Sequence, residues 1–159
     1  MSLRDRIQTD IAVAMRSGDN LRRDVLRMAT SAAYNVEKRN AHPLTEDELL
    51  AVLGREVKTR RESVEAFRGA GREDLATREE AEIAILSEYL PESLTEQEIG
   101  DLIREAVVTT GASSARDMGK VMGWLAPRTR GRADGKRVSE LVMRALASAD
   151  LSAHDGGAH

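Results

Sequence analysis

No cysteine occurs in this chain, which excludes disulfides, thiol catalysis and cysteine-ligated metal. Aromatic residues make up only 3% of it, one Trp, two Tyr and one Phe. The core must therefore be built from Leu, Val, Ile, Ala and Met, and recognition of nucleic acid by runs of aromatic–base stacking is disfavoured. Histidine is scarce as well: His42 stands alone before a proline, and His154 and His159 lie in a small, polar C-terminal stretch. Three such residues in those places suggest no metal site. No run approaches the roughly 20 apolar residues of a membrane span. The opening MSLRDRIQTD has no apolar core for a signal peptide, so cytoplasmic residence is the expectation.

Catalytic signatures are missing too. Neither GxGxxG nor a phosphate-binding glycine loop ending in Lys-Ser/Thr is present. Gly119-Lys120 lacks the preceding loop, and Val121 stands where the hydroxyl belongs. Asp117-Met118-Gly119 looks superficially like the metal-binding tripeptide of kinases, without any other kinase element. With no poised nucleophile, base or cofactor cradle, no catalytic residue is assigned, no cofactor is expected, and enzymatic action by the chain alone is disfavoured.

What remains is a charged, helix-rich chain of 159 residues, 41% apolar and 32% charged. Its net charge of −3 hides an uneven distribution. Residues 71–110 hold three basic and eleven acidic residues, whereas 113–147 hold eight basic and three acidic. An acidic middle and a basic end are the main physical clue to function.

Seven helical patterns account for nearly the whole chain, and no segment alternates with period two. The first runs from Ser2 to about Arg16 along Leu3, Ile7, Ile11, Ala14 and Met15. Ser17–Asn20 supplies a stop and a new cap. The second runs from Leu21 to about Arg39, with Leu21, Val25, Met28, Ala29, Ala32 and Val36 inward. Its basic face reads either as solvated or as part of an anion site. Thr45 with Glu48 is a capping box for a third helix reaching about Arg68 along Leu49, Leu53, Val57, Arg60, Val64 and Phe67. Arg60 on that apolar stripe calls for a carboxylate partner or a snorkelling stem. A strongly acidic fourth helix runs to about Leu90, and Pro91 opens a boundary. Thr95 with Glu98 caps the fifth helix, which Gly111 ends. After Ala147 the polar run SADLSAHDGGAH is expected to fray.

The segment SSARDMGKVMGWLAPRTRGRADGKRVSELVMRAL (113–146) is the most informative. Met118, Val121, Met122 and Leu125 share a helix face, Ser114 with Asp117 forms a cap-like start, and Pro127 should end that helix near Ala126. A basic elbow follows, punctuated by Gly131 and Gly135. Asp134 can cap a last helix facing inward through Val138, Leu141, Val142, Ala145 and Leu146. The elbow cations read either as a solvated loop or as a surface that meets phosphates.

Two stretches, REVKTRRESVEAFRGAGREDLATREEAEIAILSEYLPESLTEQEI (55–99) and GASSARDMGKVMGWLAPRTRGRADGKRVSELV (111–142), carry a resemblance to the GatB/YqeY family, specifically its stand-alone YqeY-like members. The likeness extends over about residues 1–147. It implies an all-α protein: an N-terminal bundle of about four helices (1–90), a small three-helix C-terminal lobe (91–147) and a tail (148–159). The lobe is similar to the tail domain of the B subunit of the tRNA-dependent amidotransferase, which helps hold tRNA while glutamyl-tRNA(Gln) or aspartyl-tRNA(Asn) is amidated. DMGKVMG (117–123) and GRADG (131–135) mark the lobe. Trp124 stands where the family suggests a small residue.

The resemblance and the charge pattern together make Lys120, Arg128, Arg130, Arg132, Lys136 and Arg137 the candidate tRNA-binding residues. Partners would be tRNA or another structured RNA, together with amidotransferase or aminoacyl-tRNA synthetase components. Two alternatives stay open at this stage: a part in glutamine-dependent carbon–nitrogen ligation on mischarged tRNA with other subunits, and a protein-interaction module.

Overall fold

The computed structural model describes the backbone of residues 1–156 and the side chains through residue 149. Within them lie seven α-helices, one 3-10 turn and no strand, so the fold is all-α. Contacts divide the chain into Met1–Pro91 and Glu92–His159. Among the described residues no helix is long and apolar enough to cross a membrane.

The first unit contains α1 (Leu3–Ser17), α2 (Asn20–Asn40), α3 (Glu46–Gly69) and α4 (Glu73–Ser87). Ser2 and Thr45 begin α1 and α3 with complete capping boxes, to Asp5 and Glu48, and the Asp19 side chain caps α2. Each cap satisfies amides that the helix start leaves unpaired, worth about 1 kcal/mol. Leu26, Leu53 and Leu86 are fully buried in the common core, each stabilising it by about 1.5–3 kcal/mol.

The inward face of α2 keeps Leu21, Val25, Ala29, Ala32 and Val36 of its sequence-based stripe and differs from it at three positions. Leu26 and Ala33 are buried and Met28 is exposed, because α2 packs against α1, α3 and α4 rather than against a single neighbour. Met15 of α1 is exposed as well. The fourth helix ends earlier than expected: Glu88, Tyr89 and Leu90 each bond three residues back, which tightens the chain before Pro91. Tyr89 there is buried and donates to Asp10, with the Arg6 guanidinium 4.7 Å from its ring centroid. Arg22 grips the Glu88 carboxylate with both terminal nitrogens at 2.6 and 3.1 Å.

Arg60 plays the structural part its stripe position implies. It is 5% exposed, pairs with Glu56 at 2.8 Å one turn earlier, and reaches Glu82 of α4 at 3.3 Å. Glu79 sits half-buried on the same side of this pairing, and desolvation together with the Glu82 charge holds its carboxyl above the usual range.

The second unit contains α5 (Glu96–Thr110), the 3-10 turn (Ala115–Asp117), α6 (Met118–Thr129) and α7 (Gly135–Gly156). Its core joins Ile99, Ile103 and Ala106 of α5, Val121 and Leu125 of α6, and Val138, Val142 and Leu146 of α7. Two boundaries differ from expectation. Pro127 lies inside the last turn of α6 rather than after the helix. The proline can bond nothing at Gly123, but Gly123 is exposed and water can meet its carbonyl. The α7 helix also continues through 148–156, where fraying is the sequence expectation; residues 157–159 of that stretch lie outside the described residues.

Candidate nucleic-acid interface

The surface around α6 is built from its start. Ser114 and Asp117 form a reciprocal capping box across the 3-10 turn. Asp117 Oδ2 accepts from the Ser113 amide at 2.8 Å, and that bond leads the effects that hold this carboxyl below its usual range. Val121, Leu125 and Thr129 then recur at four-residue spacing and are buried, so α6 is seated firmly by one face.

Trp124 and Arg128 also stand four residues apart and therefore meet on the helix surface. The Arg128 guanidinium carbon lies 3.7 Å from the indole centroid, and Nη1 donates to the Trp124 carbonyl at 2.6 Å. Arg128 thus belongs to the helix and not to the elbow. Trp124 is half-buried against the core of the unit, while Arg128 is exposed.

The elbow is more tightly held than a run of glycine and arginine suggests. Gly131 turns the chain with φ +74°, a left-handed conformation suited to glycine. The Arg132 and Ala133 amides both donate to the Thr129 carbonyl, at 2.9 and 3.0 Å. From the other side, the Leu94 amide donates to the Arg132 carbonyl at 2.8 Å, and Arg132 Nε donates to the Glu92 carbonyl at 3.0 Å. Asp134 accepts from the Lys136 amide at 3.3 Å and so caps α7 as its sequence position implies.

The six candidate cations differ in exposure. Arg132 is occupied by the Glu92 carbonyl, and Arg137 by the carboxylates of Glu96 at 2.7 Å and Glu140 at 3.4 Å. The Glu96 hydrogen bond raises the Arg137 pKa above its ordinary value. These two side chains are half-buried. Lys120, Arg128 and Lys136 are exposed, and so is Arg130, which is itself engaged within the protein. Lys120 approaches Asp117 only at 3.8 Å, with 69% of its side chain accessible. Eight residues along α6 put Lys120 and Arg128 about 12 Å apart in axial rise, within the span of a few phosphates.

The aromatic seat beneath Arg128 is the feature that sequence reasoning missed. Its signal, a Trp and an Arg one turn apart, is in the sequence, but placing Pro127 after the helix hides it. Among the described residues no group of three or more His, Asp or Glu side chains could hold a metal ion.

The family model for Yqey-like proteins matches residues 4–146. The chain belongs to that family. It is 32% identical over 145 residues to "Altered inheritance of mitochondria protein 41, mitochondrial" of Pyrenophora tritici-repentis, covering 89% of this chain and 79% of the relative. The protein of the same name from Lachancea thermotolerans is 26% identical over 145 residues, covering 87% of this chain and 78% of the relative. The Yqey-like match thus spans both units and includes all six candidate cations.

Proposed function

We propose that this Yqey-like protein binds structured RNA, tRNA foremost, by gripping backbone phosphates with α6 and the start of α7. The observation that carries the reading is Arg128, an exposed guanidinium held over the Trp124 ring and oriented without a carboxylate partner among the described residues. Lys120, Arg130 and Lys136 add exposed positive charge on the same helix and on the chain that follows it. Arginine and lysine in this setting suit phosphate contacts that position an RNA without reading its sequence. The resemblance of this unit to the tail domain of the tRNA-dependent amidotransferase supports the same choice of partner. Holding tRNA requires no catalytic group in the chain, and any chemistry on the tRNA belongs to a partner.

Titration of the purified protein into labelled tRNA at low ionic strength tests the reading. Saturable association is expected, and it is lost when Lys120, Arg128, Arg130 and Lys136 are changed together to Glu. No association at low salt contradicts it.

A further inference from the structure

We infer that the outer face of the Arg128 guanidinium is a stacking seat for one unpaired nucleobase of the bound RNA. This rests on the RNA-binding reading above and names a second element of recognition at the same surface. The argument starts from how the guanidinium is held. At 3.7 Å from the indole centroid, its carbon is in direct contact with the Trp124 ring, without an intervening solvent layer. The Nη1 bond to the Trp124 carbonyl, at 2.6 Å, fixes the far end of a side chain that otherwise has many rotamers. Trp124 is in turn packed against the core of its unit, so the support is rigid. The seat is thus preorganised, and little side-chain freedom remains to be lost on binding.

One face of the guanidinium is covered by the indole, and Arg128 is exposed. Guanidinium planes stack on nucleobases, whereas a lysine ammonium offers charge with no plane. A phosphate would use the N–H edge of Arg128; a base would use the face. Both can be engaged at once, since edge and face point in different directions. The low aromatic content of the chain opposes recognition by successive stacked bases, but a single base needs only this one seat. Trp124 is the only tryptophan of the chain, so its fluorescence reports directly on the seat.

The test compares an eight-nucleotide single-stranded RNA with an abasic ribose-phosphate strand of equal length and charge. Affinity is read with Trp124 fluorescence and independently with an end label. Wild type, Arg128→Lys and Arg128→Gln are compared, with thermal melts to establish that each variant is folded. Wild type is expected to bind the base-containing strand about tenfold more tightly than the abasic one, the scale of one stacked base, with a Trp124 signal for the former. Arg128→Lys keeps the charge and should bind both strands alike, at the abasic level; Arg128→Gln should lose the discrimination and some of the overall affinity. Equal binding of both strands by wild type, or discrimination retained in Arg128→Lys, overturns the seat and leaves RNA binding standing. Failure of wild type to bind either strand or tRNA overturns both.

Discussion

Arg132 and Leu94 are joined through the backbone, the Leu94 amide donating to the Arg132 carbonyl at 2.8 Å, while the Arg132 side chain reaches two residues further back to the Glu92 carbonyl. The elbow is thereby fastened to the segment that leads into α5. Arg132→Ala removes the side-chain half of this clasp and leaves the backbone half. It should destabilise the second unit by about 1 kcal/mol, the ordinary net worth of one hydrogen bond, since this one is open to solvent, as read by chemical denaturation. Its effect on the salt dependence of RNA binding should be small.

Arg60 gives a larger expected loss. Arg60→Ala leaves the Glu82 carboxylate, whose side chain is 14% exposed, without its cation. Fully buried pairs cost about 3–5 kcal/mol when one partner is removed. Glu56 keeps 26% exposure and can recover water, so a cost of about 2–3 kcal/mol is expected. Arg60→Lys should recover only part of it, because one ammonium cannot reproduce the fork that reaches Glu56 and Glu82 together. Denaturant midpoints of both variants check this.

Two carboxyls should respond to pH with opposite signs. Folding raises the Glu79 pKa, so its contribution is fully present below the unfolded value and is lost as pH rises through the folded one. Glu79→Gln should therefore raise Tm at neutral pH and leave it nearly unchanged in acid, at about pH 3. The Arg22 hydrogen bond lowers the Glu88 pKa, so that contribution is present above the unfolded value and is lost as pH falls. Glu88→Gln should lower Tm at neutral pH, and the difference should shrink in acid. Thermal melts across this range test both.

Local signals in the sequence locate most of the helices. Thr45 with Glu48 and Thr95 with Glu98 announce two helix starts, and Gly18 and Gly111 mark two ends with left-handed backbone. Arg60 is legible as a paired cation because it interrupts an apolar stripe. The inward face of α2 is legible in part: Val25 and Ala29 are core residues as their spacing implies, but a helix packed by several neighbours buries more than one stripe, and Leu26 rather than Met28 is in the core. Pro127 misleads because its cost is judged for a helix interior, while here it occupies a last turn whose unpaired carbonyl lies at an exposed glycine. Arg132 illustrates the limit for the interface. Its partner Glu92 is forty residues earlier, and nothing local distinguishes it from Arg130 or Lys136.

The salt dependence of tRNA binding tests the central claim most directly. Wild type is to be compared with the quadruple variant Lys120→Ala, Arg128→Ala, Arg130→Ala, Lys136→Ala, and with Arg137→Gln, which loses a cation already committed to Glu96. The account predicts a steep decline of log K with log salt for wild type, a slope shallower by roughly three for the quadruple variant, and a nearly unchanged slope for Arg137→Gln. Equal slopes for wild type and the quadruple variant would contradict it.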